Sequence, residues 1–406
     1  MAGRRPERVD GLKRPSSPLR GRRLVKPLLK LVSRLHGVGA ERDRAGNRKL
    51  FYDHYLTLLL MYFFNPTLDS LRALQQATGW EKTRKKLGVE RAALGSLSEA
   101  ARVFDAARVF DAARVFDAEM LRPILQELAA QALPLTAGRE SEALKGLMAV
   151  DGSIFSALPR MAWALWEDAE HRGVKLHLHF DVLKGVPADA TLTKAACSET
   201  AALAAALQPG RLYVVDRGYA DYALFAKIVA ADSSLIARVK DNTAFVVQEE
   251  RPLTAAAQAA GVVRDVVISR LGTAHHKDHL KRPMRLVIVQ RVDRDGKITA
   301  LWLVTDRLDL DAELVALAYR YRWSVELFFR WLKCVLGARH LIAHNQNGVT
   351  LQMYAALIVS LLIVVRTGRK PTKRTFETIQ FHLLGWVSDQ EFDAHLAALA
   401  AAKTKK

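Results

Sequence analysis

Cysteine is scarce in this sequence: Cys197 and Cys334 are the only two among 406 residues. Two cysteines exclude a disulfide framework and fit a protein of a reducing compartment. A Walker phosphate-binding loop is also missing, so the sequence implies no nucleotide-driven mechanism. Long apolar runs are few. The run 349–365 carries no charge but is near the lower length limit for a membrane span, so we expect a buried helix of a large protein there.

Acidic residues are in deficit, because 61 Lys and Arg stand against 42 Asp and Glu and leave a net charge of +19. Such a charge indicates a polyanionic partner, either nucleic acid or an anionic membrane. Residues 1–30 interleave Arg and Lys with proline. They predict a basic flexible arm that follows a DNA backbone or, equally, a solvated tail without a partner.

The hexapeptide Ala-Arg-Val-Phe-Asp-Ala occurs three times in succession over residues 101–118. A step of six residues turns a helix by about 240° net, so the three Val-Phe pairs would point in different directions. One copy can pack on a core, but three cannot share a face. We therefore interpret the repeat as a tandem expansion without a function of its own, and we expect the fold to survive deletion of two copies.

From residue 145 onward the pattern changes to alternating strands and helices, and two apolar strands run into an aspartate close to a glycine. Leu147–Val150 precedes Asp151-Gly152, and Leu212–Val215 precedes Asp216-Arg-Gly. The carboxyl ends of strands are where α/β sheets present ligand groups. Each feature alone is also an ordinary turn signal. Together they make Asp151 and Asp216 candidate site residues.

A long helix predicted over residues 311–337 carries a charged stripe. Tyr319, Arg322, Glu326, Arg330 and Lys333 fall on one side of a continuous helix at about 100° per residue. Large apolar residues flank this stripe, which argues against a simple exposed ladder of ion pairs. An acidic residue on a basic surface that faces a polyanion needs an explanation. A metal ion bound to Glu326 would supply one.

The stripe resembles the signature of a known family. The spacing Tyr319-x2-Arg322-x3-Glu326-x6-Lys333 is that of the insertion-sequence-four family of bacterial DDE transposases. The surrounding sequence, Tyr-Arg-Tyr-Arg-Trp-Ser-Val-Glu-Leu-Phe-Phe-Arg-Trp-Leu-Lys, looks typical of that family.

Other segments strengthen this resemblance, which covers about residues 50–365. They are Val-Asp-Gly-Ser at Asp151, Val-Val-Asp-Arg-Gly-Tyr at Asp216 and Leu-Val-Thr-Asp ending at Asp306. The resemblance implies an α/β fold, with an RNase H-like catalytic core and a β-rich insertion before the catalytic helix. A helical N-terminal domain and a helical C-terminal segment complete it. The expected divisions are a basic flexible arm 1–30, a helical N-terminal DNA-binding domain 31–140, a first core part 141–240, the insertion 241–305, core completion with the catalytic helix 306–345, and the C-terminal segment 346–406.

The resemblance also implies a chemistry. Asp151, Asp216 and Glu326 would be the catalytic carboxylates and would hold two Mg²⁺ ions, for which Mn²⁺ could substitute. The enzyme would cleave transposon ends and transfer the strands to target DNA.

Contacts to DNA are implied for the remaining members of the signature, with Arg322 able to fork two phosphate oxygens and Lys333 acting as a point charge. Trp302 is a candidate for stacking on a flipped base, although packing in a strand core is the preferred interpretation for it. The partners would be double-stranded inverted-repeat ends and target DNA, bound by a homodimer in the bacterial cytoplasm, at the nucleoid. The residues implied in DNA binding are Tyr319, Arg322, Arg330, Lys333 and Trp302.

Three alternatives remain open at this point. A domesticated transposase could bind DNA without catalysis, although the intact carboxylates argue against this. A generic RNase H-like nuclease would need the carboxylates but not Tyr319, Arg322 and Lys333 beside Glu326. A basic membrane protein anchored by residues 349–365 would leave most of the basic charge unexplained.

Overall fold

The fold is mixed α/β, built on one nine-stranded sheet. A computed structural model describes residues 28, 30–38, 48–100, 116–135, 137–157, 161–164, 172–273, 282–292 and 295–404. Within these residues the strand order is β3-β2-β1-β4-β5-β9-β8-β7-β6. The strands are β1 (Leu147–Ser156), β2 (Gly173–Asp181), β3 (Val186–Lys194), β4 (Leu212–Val215), β5 (Ser234–Val239), β6 (Phe245–Glu250), β7 (Val262–Leu271), β8 (Met284–Val292) and β9 (Ile298–Thr305).

Strand direction divides the sheet into two parts. In the first part β1, β2 and β3 pair antiparallel, while β1, β4 and β5 pair parallel. In the second part β6 to β9 form an antiparallel meander whose last strand, β9, pairs antiparallel with β5. Parallel neighbours need a crossover connection. Between β4 and β5 the helix Tyr222–Ala230 supplies it, and the helix Glu199–Ala205 lies between β3 and β4.

Helices cover both faces of the sheet. Side chains alternate along β1, so Leu147 and Ala149 join one apolar core while Met148 and Val150 join a second core on the other face. The helices, in chain order, are α1 (Tyr52–Phe64), α2 (Leu71–Gly79), α3 (Glu81–Leu87), α4 (Leu94–Ala100), α5 (Leu121–Gln131), α6 (Arg139–Ala143), α7 (Glu199–Ala205), α8 (Tyr222–Ala230), α9 (Ala255–Ala259), α10 (Ala312–Tyr321), α11 (Trp323–Cys334), α12 (Gln346–Thr367), α13 (Lys373–Leu384) and α14 (Asp389–Thr404).

Helix α12 is long and apolar enough to cross a membrane, but 94% of its apolar window is buried inside the protein. It packs against α1, α5 and β3. Its polar side chains are satisfied internally, since Gln352 accepts from the Ile342 N–H at 2.9 Å and donates to the His340 carbonyl at 2.6 Å. The prediction of a buried helix for residues 349–365 is confirmed.

The repeat contributes one buried copy among the described residues. Phe116, from the third copy, is 1% exposed and stacks on Tyr52 and Tyr55 of α1. Asn347 of α12 holds the same segment by donating to the Phe116 carbonyl and accepting from the Ala118 N–H. Residues 101–115, like residues 1–27 of the basic arm, lie outside the described part of the chain.

Two sequence-based element boundaries were wrong. Strand β1 does not end at Asp151 but continues to Ser156, because residues 148–156 pair without interruption with β2. The single helix predicted over 311–337 is two helices, α10 and α11, with the break at Arg322. Arg322 keeps helical dihedrals, but there the N–H groups of Arg322 and Val325 each bond three residues back instead of four.

Candidate active site

Asp151 and Asp216 lie on neighbouring parallel strands at the same level. The β1–β4 register aligns Leu147 with Leu212 and Ala149 with Val214. Continued by two residues, it sets Asp151 opposite Asp216. Adjacent strands run about 4.8 Å apart, and both aspartates occupy the same side-chain parity. The two carboxylates therefore face one crevice, at the carboxyl end of β4 and beside the middle of β1.

The environment of Asp151 disfavours its negative charge. Burial, with smaller contributions from Asp216 and Glu199, raises the pKa of Asp151 to about 7. Two groups oppose this rise: the Arg322 guanidinium lies 4.0 Å from Oδ2, and the Gly152 N–H donates to Oδ1 at 2.8 Å. Asp151 is thus a desolvated carboxyl whose pKa is raised mainly by burial, and Arg322 and the Gly152 N–H offset that rise only in part.

Asp216 is fixed by the turn that follows β4. Its Oδ1 accepts a hydrogen bond from the Gly218 N–H at 2.8 Å and so caps the short 3₁₀ helix Arg217–Tyr219. A Cβ at position 218 would stand only 3.1 Å from this same oxygen. Glycine there lets the chain fold tightly over the carboxylate while the second oxygen of Asp216 stays available.

Arg322 connects Glu326 of α11 to the aspartates. It donates to the Glu326 carboxylate, one helical turn further on, and reaches toward Asp151. The Arg322 side chain is 12% exposed, so this guanidinium is an enclosed counter-ion rather than a surface charge. The structure thereby brings Glu326 to the crevice that Asp151 and Asp216 form.

The other signature residues, Tyr319, Arg330 and Lys333, differ in their burial and in the helix that carries them. Burial raises the pKa of Tyr319, against the nearby charges of Arg322 and Arg238. Lys333 is half-buried and donates to the Ile154 carbonyl of β1 at 2.6 Å, while Arg330 is exposed. The expectation of one charged stripe assumed a continuous helix. Because the ladder breaks at Arg322, Tyr319 belongs to α10, Arg322 lies between the two helices, and Glu326, Arg330 and Lys333 belong to α11.

Trp302 lies on the opposite side of the sheet from the carboxylates. Its neighbours along β9, Leu301 and Leu303, face the core that also contains Ala149. Trp302 itself packs with the second core and meets the Phe245 ring edge-on at a centroid distance of 5.6 Å. This environment is the strand-core packing preferred for Trp302 from the sequence.

An open groove of about 990 Å³ leads away from the site between α10 and strands β8 and β9. Apolar residues of β9 and α10 form much of its wall. Cationic residues line it as well, among them Arg238, Arg320 and Arg322, and the ring of Trp323 at its end is 51% exposed. A basic groove with an exposed aromatic ring suits a nucleic-acid strand, because cations bind phosphates and rings stack on bases.

Sequence reasoning missed Glu199, Arg238 and Tyr219. Glu199 follows the helix-capping Ser198 and reads as an ordinary first-turn acid. Arg238 is the polar member of an otherwise apolar strand pattern, which is the one signal that could have identified it. Tyr219 belongs to the quoted Val-Val-Asp-Arg-Gly-Tyr segment, but nothing local shows that it is buried beneath the carboxylates.

The chain is similar to known transposases. A family model described as "Transposase DDE domain" matches residues 142–362, just over half of the chain and a span that includes all three carboxylates. A putative transposase of Sinorhizobium fredii is 28% identical over 260 residues, which are 63% of this chain and 69% of that protein.

Two further proteins are similar over shorter stretches or in shape alone. A probable transposase for insertion sequence element IS5377 of Geobacillus stearothermophilus is 28% identical over 204 residues, 50% of this chain and 52% of the relative. Among solved structures, a piggyBac transposase synaptic complex with hairpin DNA aligns with a TM-score of 0.39 at 10% identity. That alignment covers 91% of this chain and 80% of the other.

Proposed function

This chain belongs to the family of transposases with a DDE domain, and we propose that it cleaves the DNA ends of an insertion sequence and joins them to target DNA. Asp151, Asp216 and Glu326 are the catalytic carboxylates in this proposal. The observation that supports it is the β1–β4 register, which sets the two aspartates side by side, together with Arg322, which lies between Glu326 and Asp151 and pairs with both.

The donor set suits hard divalent cations. Members of this family depend on divalent metal, and here all three candidate ligands are carboxylates, the oxygen ligands that Mg²⁺ and Mn²⁺ prefer. Burial raises the pKa of Asp151, and a bound cation would favour its ionised form. We propose two Mg²⁺ ions. The chemistry that such a pair supplies when bound is stabilisation of the attacking and the leaving oxygen of an in-line displacement.

The cationic residues around the site position DNA in this proposal. Arg322 presents a planar fork able to hold two phosphate oxygens, and Tyr319 stands beside it with a hydroxyl donor. Lys333 and Arg330 supply point charges along α11. Because phosphoryl transfer depends mostly on positioning and charge stabilisation, these contacts fix the scissile phosphate against the carboxylates.

Strand order supports an RNase H-like core. The first five strands have the order β3-β2-β1-β4-β5, with an antiparallel β1-β2-β3 unit and parallel β1-β4-β5 pairs. Strands β6 to β9 then form the proposed insertion over 241–305, and the chain returns through α10 and α11. The two halves of the core are thus residues 141–240 and 306–345, with helical segments 31–140 and 346–406 on either side.

DNA is the partner in this proposal. A net charge of +19 and the basic groove at the site both favour a polyanion. We propose that a homodimer binds a pair of inverted-repeat ends, in the bacterial cytoplasm at the nucleoid. The helical N-terminal domain, with the basic helix α3 beside the exposed ring of Trp80, would add contacts to the DNA backbone.

Cleavage by matched variants tests the proposal. The substrate is a duplex carrying the inverted repeats that flank the coding sequence, incubated with Mg²⁺ or Mn²⁺. Asp216→Asn keeps an oxygen to accept from the Gly218 N–H and removes only the charge, so we expect strand cleavage to be lost. Asp241→Asn makes the same change at an exposed position beyond β5 and should cleave like the wild type. Metal-dependent cleavage that persists in Asp216→Asn would contradict the proposal.

A further inference from the structure

A fourth carboxylate, Glu199, lies against β1 next to Asp151. It projects from the first turn of α7, on the face of the sheet opposite to the Asp151 side chain. Its Oε1 stands 2.7 Å from the point that a Cβ on Gly152 would occupy. The charge of Glu199 is close enough to contribute to the raised pKa values of both Asp151 and Tyr219.

The Glu199 carboxylate occupies the space that a side chain at position 152 would fill. Gly152 lies inside β1, paired with His177 of β2, and no turn occurs there. Its backbone is not in the left-handed region, so conformational freedom does not explain the residue. A side chain at 152 would instead collide with the Glu199 carboxylate, with its Cδ at 3.0 Å and Oε1 at 2.7 Å. The missing side chain at Gly152 therefore lets Glu199 lie against the backbone of β1 next to Asp151, beyond Ala149, the last β1 residue paired with β4.

A lysine holds Glu199 in this structure. Lys175 of β2 is 13% exposed and places its Nζ 3.2 Å from Glu199 Oε1, while it also donates to the Cys197 carbonyl at 3.3 Å. Glu199 is 31% exposed, so its second oxygen remains accessible. The Lys175 ammonium group thus stands beside Glu199, while the Arg322 guanidinium stands beside Asp151.

A buried hydroxyl points to a missing ligand in the same place. Tyr219 is 1% exposed, and its hydroxyl finds no hydrogen-bond partner among the residues that the structure describes. A buried hydroxyl without a partner loses the hydrogen bonds that it makes to water when exposed. Its strongest charged neighbour is Glu199, followed by Asp151 and Asp216. A polar group that is buried among three carboxylates calls for an occupant, such as metal-bound water, that it could contact.

We propose that Glu199 is a fourth carboxylate of the metal centre, which reaches the cation beside Asp151 past Gly152, where β1 is no longer paired with β4. The inference rests on the proposed function, since it assigns a further residue to the same centre. Until metal binds, the Lys175 ammonium group pairs with Glu199 and so competes with the metal ion for this carboxylate. Tyr219 would then donate to water on the metal or to the Glu199 oxygen that Lys175 leaves.

Mn²⁺ binding tests this role independently of catalysis. The full chain is titrated with Mn²⁺ and the free ion is followed by electron paramagnetic resonance, with and without a mixed-sequence DNA duplex. Glu199→Gln should weaken Mn²⁺ binding about tenfold or more, a loss that is typical for groups supporting a metal site. Gly152→Ala should do the same, because the added methyl displaces the carboxylate. Glu377→Gln, at an exposed ion pair on α13, should bind Mn²⁺ like the wild type.

The variant Lys175→Met distinguishes two roles of Glu199: a ligand of the metal and a structural partner of Lys175. If Glu199 served only to hold Lys175, Lys175→Met and Glu199→Gln would impair the protein alike. A metal carboxylate predicts the opposite: Lys175→Met retains or strengthens Mn²⁺ binding because a competing cation is removed. Thermal unfolding without metal shows whether either variant has lost its fold.

The outcomes distinguish this inference from the proposed function. Wild-type affinity for Mn²⁺ in Glu199→Gln, with weakened binding in Asp216→Asn, would overturn the role of Glu199 and leave the three-carboxylate site standing. Equal losses in Lys175→Met and Glu199→Gln would also overturn it. Mn²⁺ binding that does not respond to Asp216→Asn would instead contradict the proposed function itself.

Discussion

Replacing Asp151 by asparagine should stabilise the metal-free protein at about pH 8. The pKa of this carboxyl rises from its ordinary 3.8 to about 7, mainly because burial disfavours its charge. Each tenfold change in an ionisation constant corresponds to about 1.4 kcal/mol, so the ionised carboxylate costs at most about 4 kcal/mol of folding free energy. The side chain is 20% exposed and attracted by Arg322. We therefore expect a gain of about 1–3 kcal/mol after discounting for solvent screening.

The pH dependence gives this prediction its sign. A carboxyl whose pKa is raised by folding contributes stability that is fully present below its unfolded pKa and is lost as pH rises through the folded value. The window therefore runs from about pH 4 to about pH 7. Asp151→Asn should equal the wild type at the acidic end and exceed it increasingly toward the neutral end. Asparagine keeps the oxygen that accepts from the Gly152 N–H, so the local hydrogen bond survives.

Urea unfolding with a metal chelator, at several pH values across this window, measures the difference. Asp241→Asn is the control, because an exposed aspartate should give a difference close to zero at every pH. A variant that is no more stable than the wild type at about pH 8 would refute the reasoning, as would a difference that does not change with pH. Added Mn²⁺ should stabilise the wild type and Asp241→Asn but not Asp151→Asn, because only a folded protein that binds the ion is stabilised by it.

Three further predictions concern parts of the molecule away from the aspartates. Deletion of residues 101–112 should leave the thermal unfolding profile unchanged, and loss of folded protein on deletion would contradict this expectation. Phe116→Ala should instead destabilise the protein by about 3–5 kcal/mol, because it empties a stacked aromatic site. Trp302→Ala should lower the unfolding free energy by about 2–3 kcal/mol in urea, since the ring packs in a core; weaker DNA-end binding at unchanged stability would instead place Trp302 at the DNA. Lys333→Met should reduce the salt dependence of DNA binding by about one phosphate contact, and an unchanged slope would show that the lysine only holds the Ile154 carbonyl.

Local sequence signals predicted much of the sheet that carries the site. The apolar run Leu212–Val215 followed by Asp-Arg-Gly gave both the strand β4 and the position of Asp216 at its end. The apolar run 349–365 likewise gave a helix whose polar residues could be satisfied only inside a protein. In these cases the periodicity and the terminating residues lie next to one another in the chain, so a short window contains the whole signal.

Strand β3 could not be predicted, because the interactions that permit it are distant. It contains Pro187 and the buried Asp189, which in a local pattern read as loop. Arg122, 67 positions earlier on α5, holds both oxygens of Asp189 at 2.7 Å and makes the buried charge tolerable. The paired charges and the strand appear only when α5 packs on the sheet.

The sequence alone also could not explain why residue 152 is a glycine. An Asp-Gly pair after an apolar run usually marks a turn, yet here the strand continues and the glycine makes room for Glu199, 47 positions later in the chain. The break at Arg322 was equally invisible, because Tyr319–Lys333 satisfies helical spacing with or without it. Contacts between residues that are distant in the chain, rather than local conformational preferences, determine the glycine at 152 and the helix break at Arg322.

A crystal structure with Mn²⁺, read by the anomalous signal of the metal, tests the central claim most directly. The account predicts Mn²⁺ between the carboxylates of Asp151, Asp216 and Glu326, at the carboxyl end of β4 and beside the middle of β1. Mn²⁺ bound elsewhere, with Glu326 still paired to Arg322 and the two aspartates free of metal at saturating concentration, would contradict it.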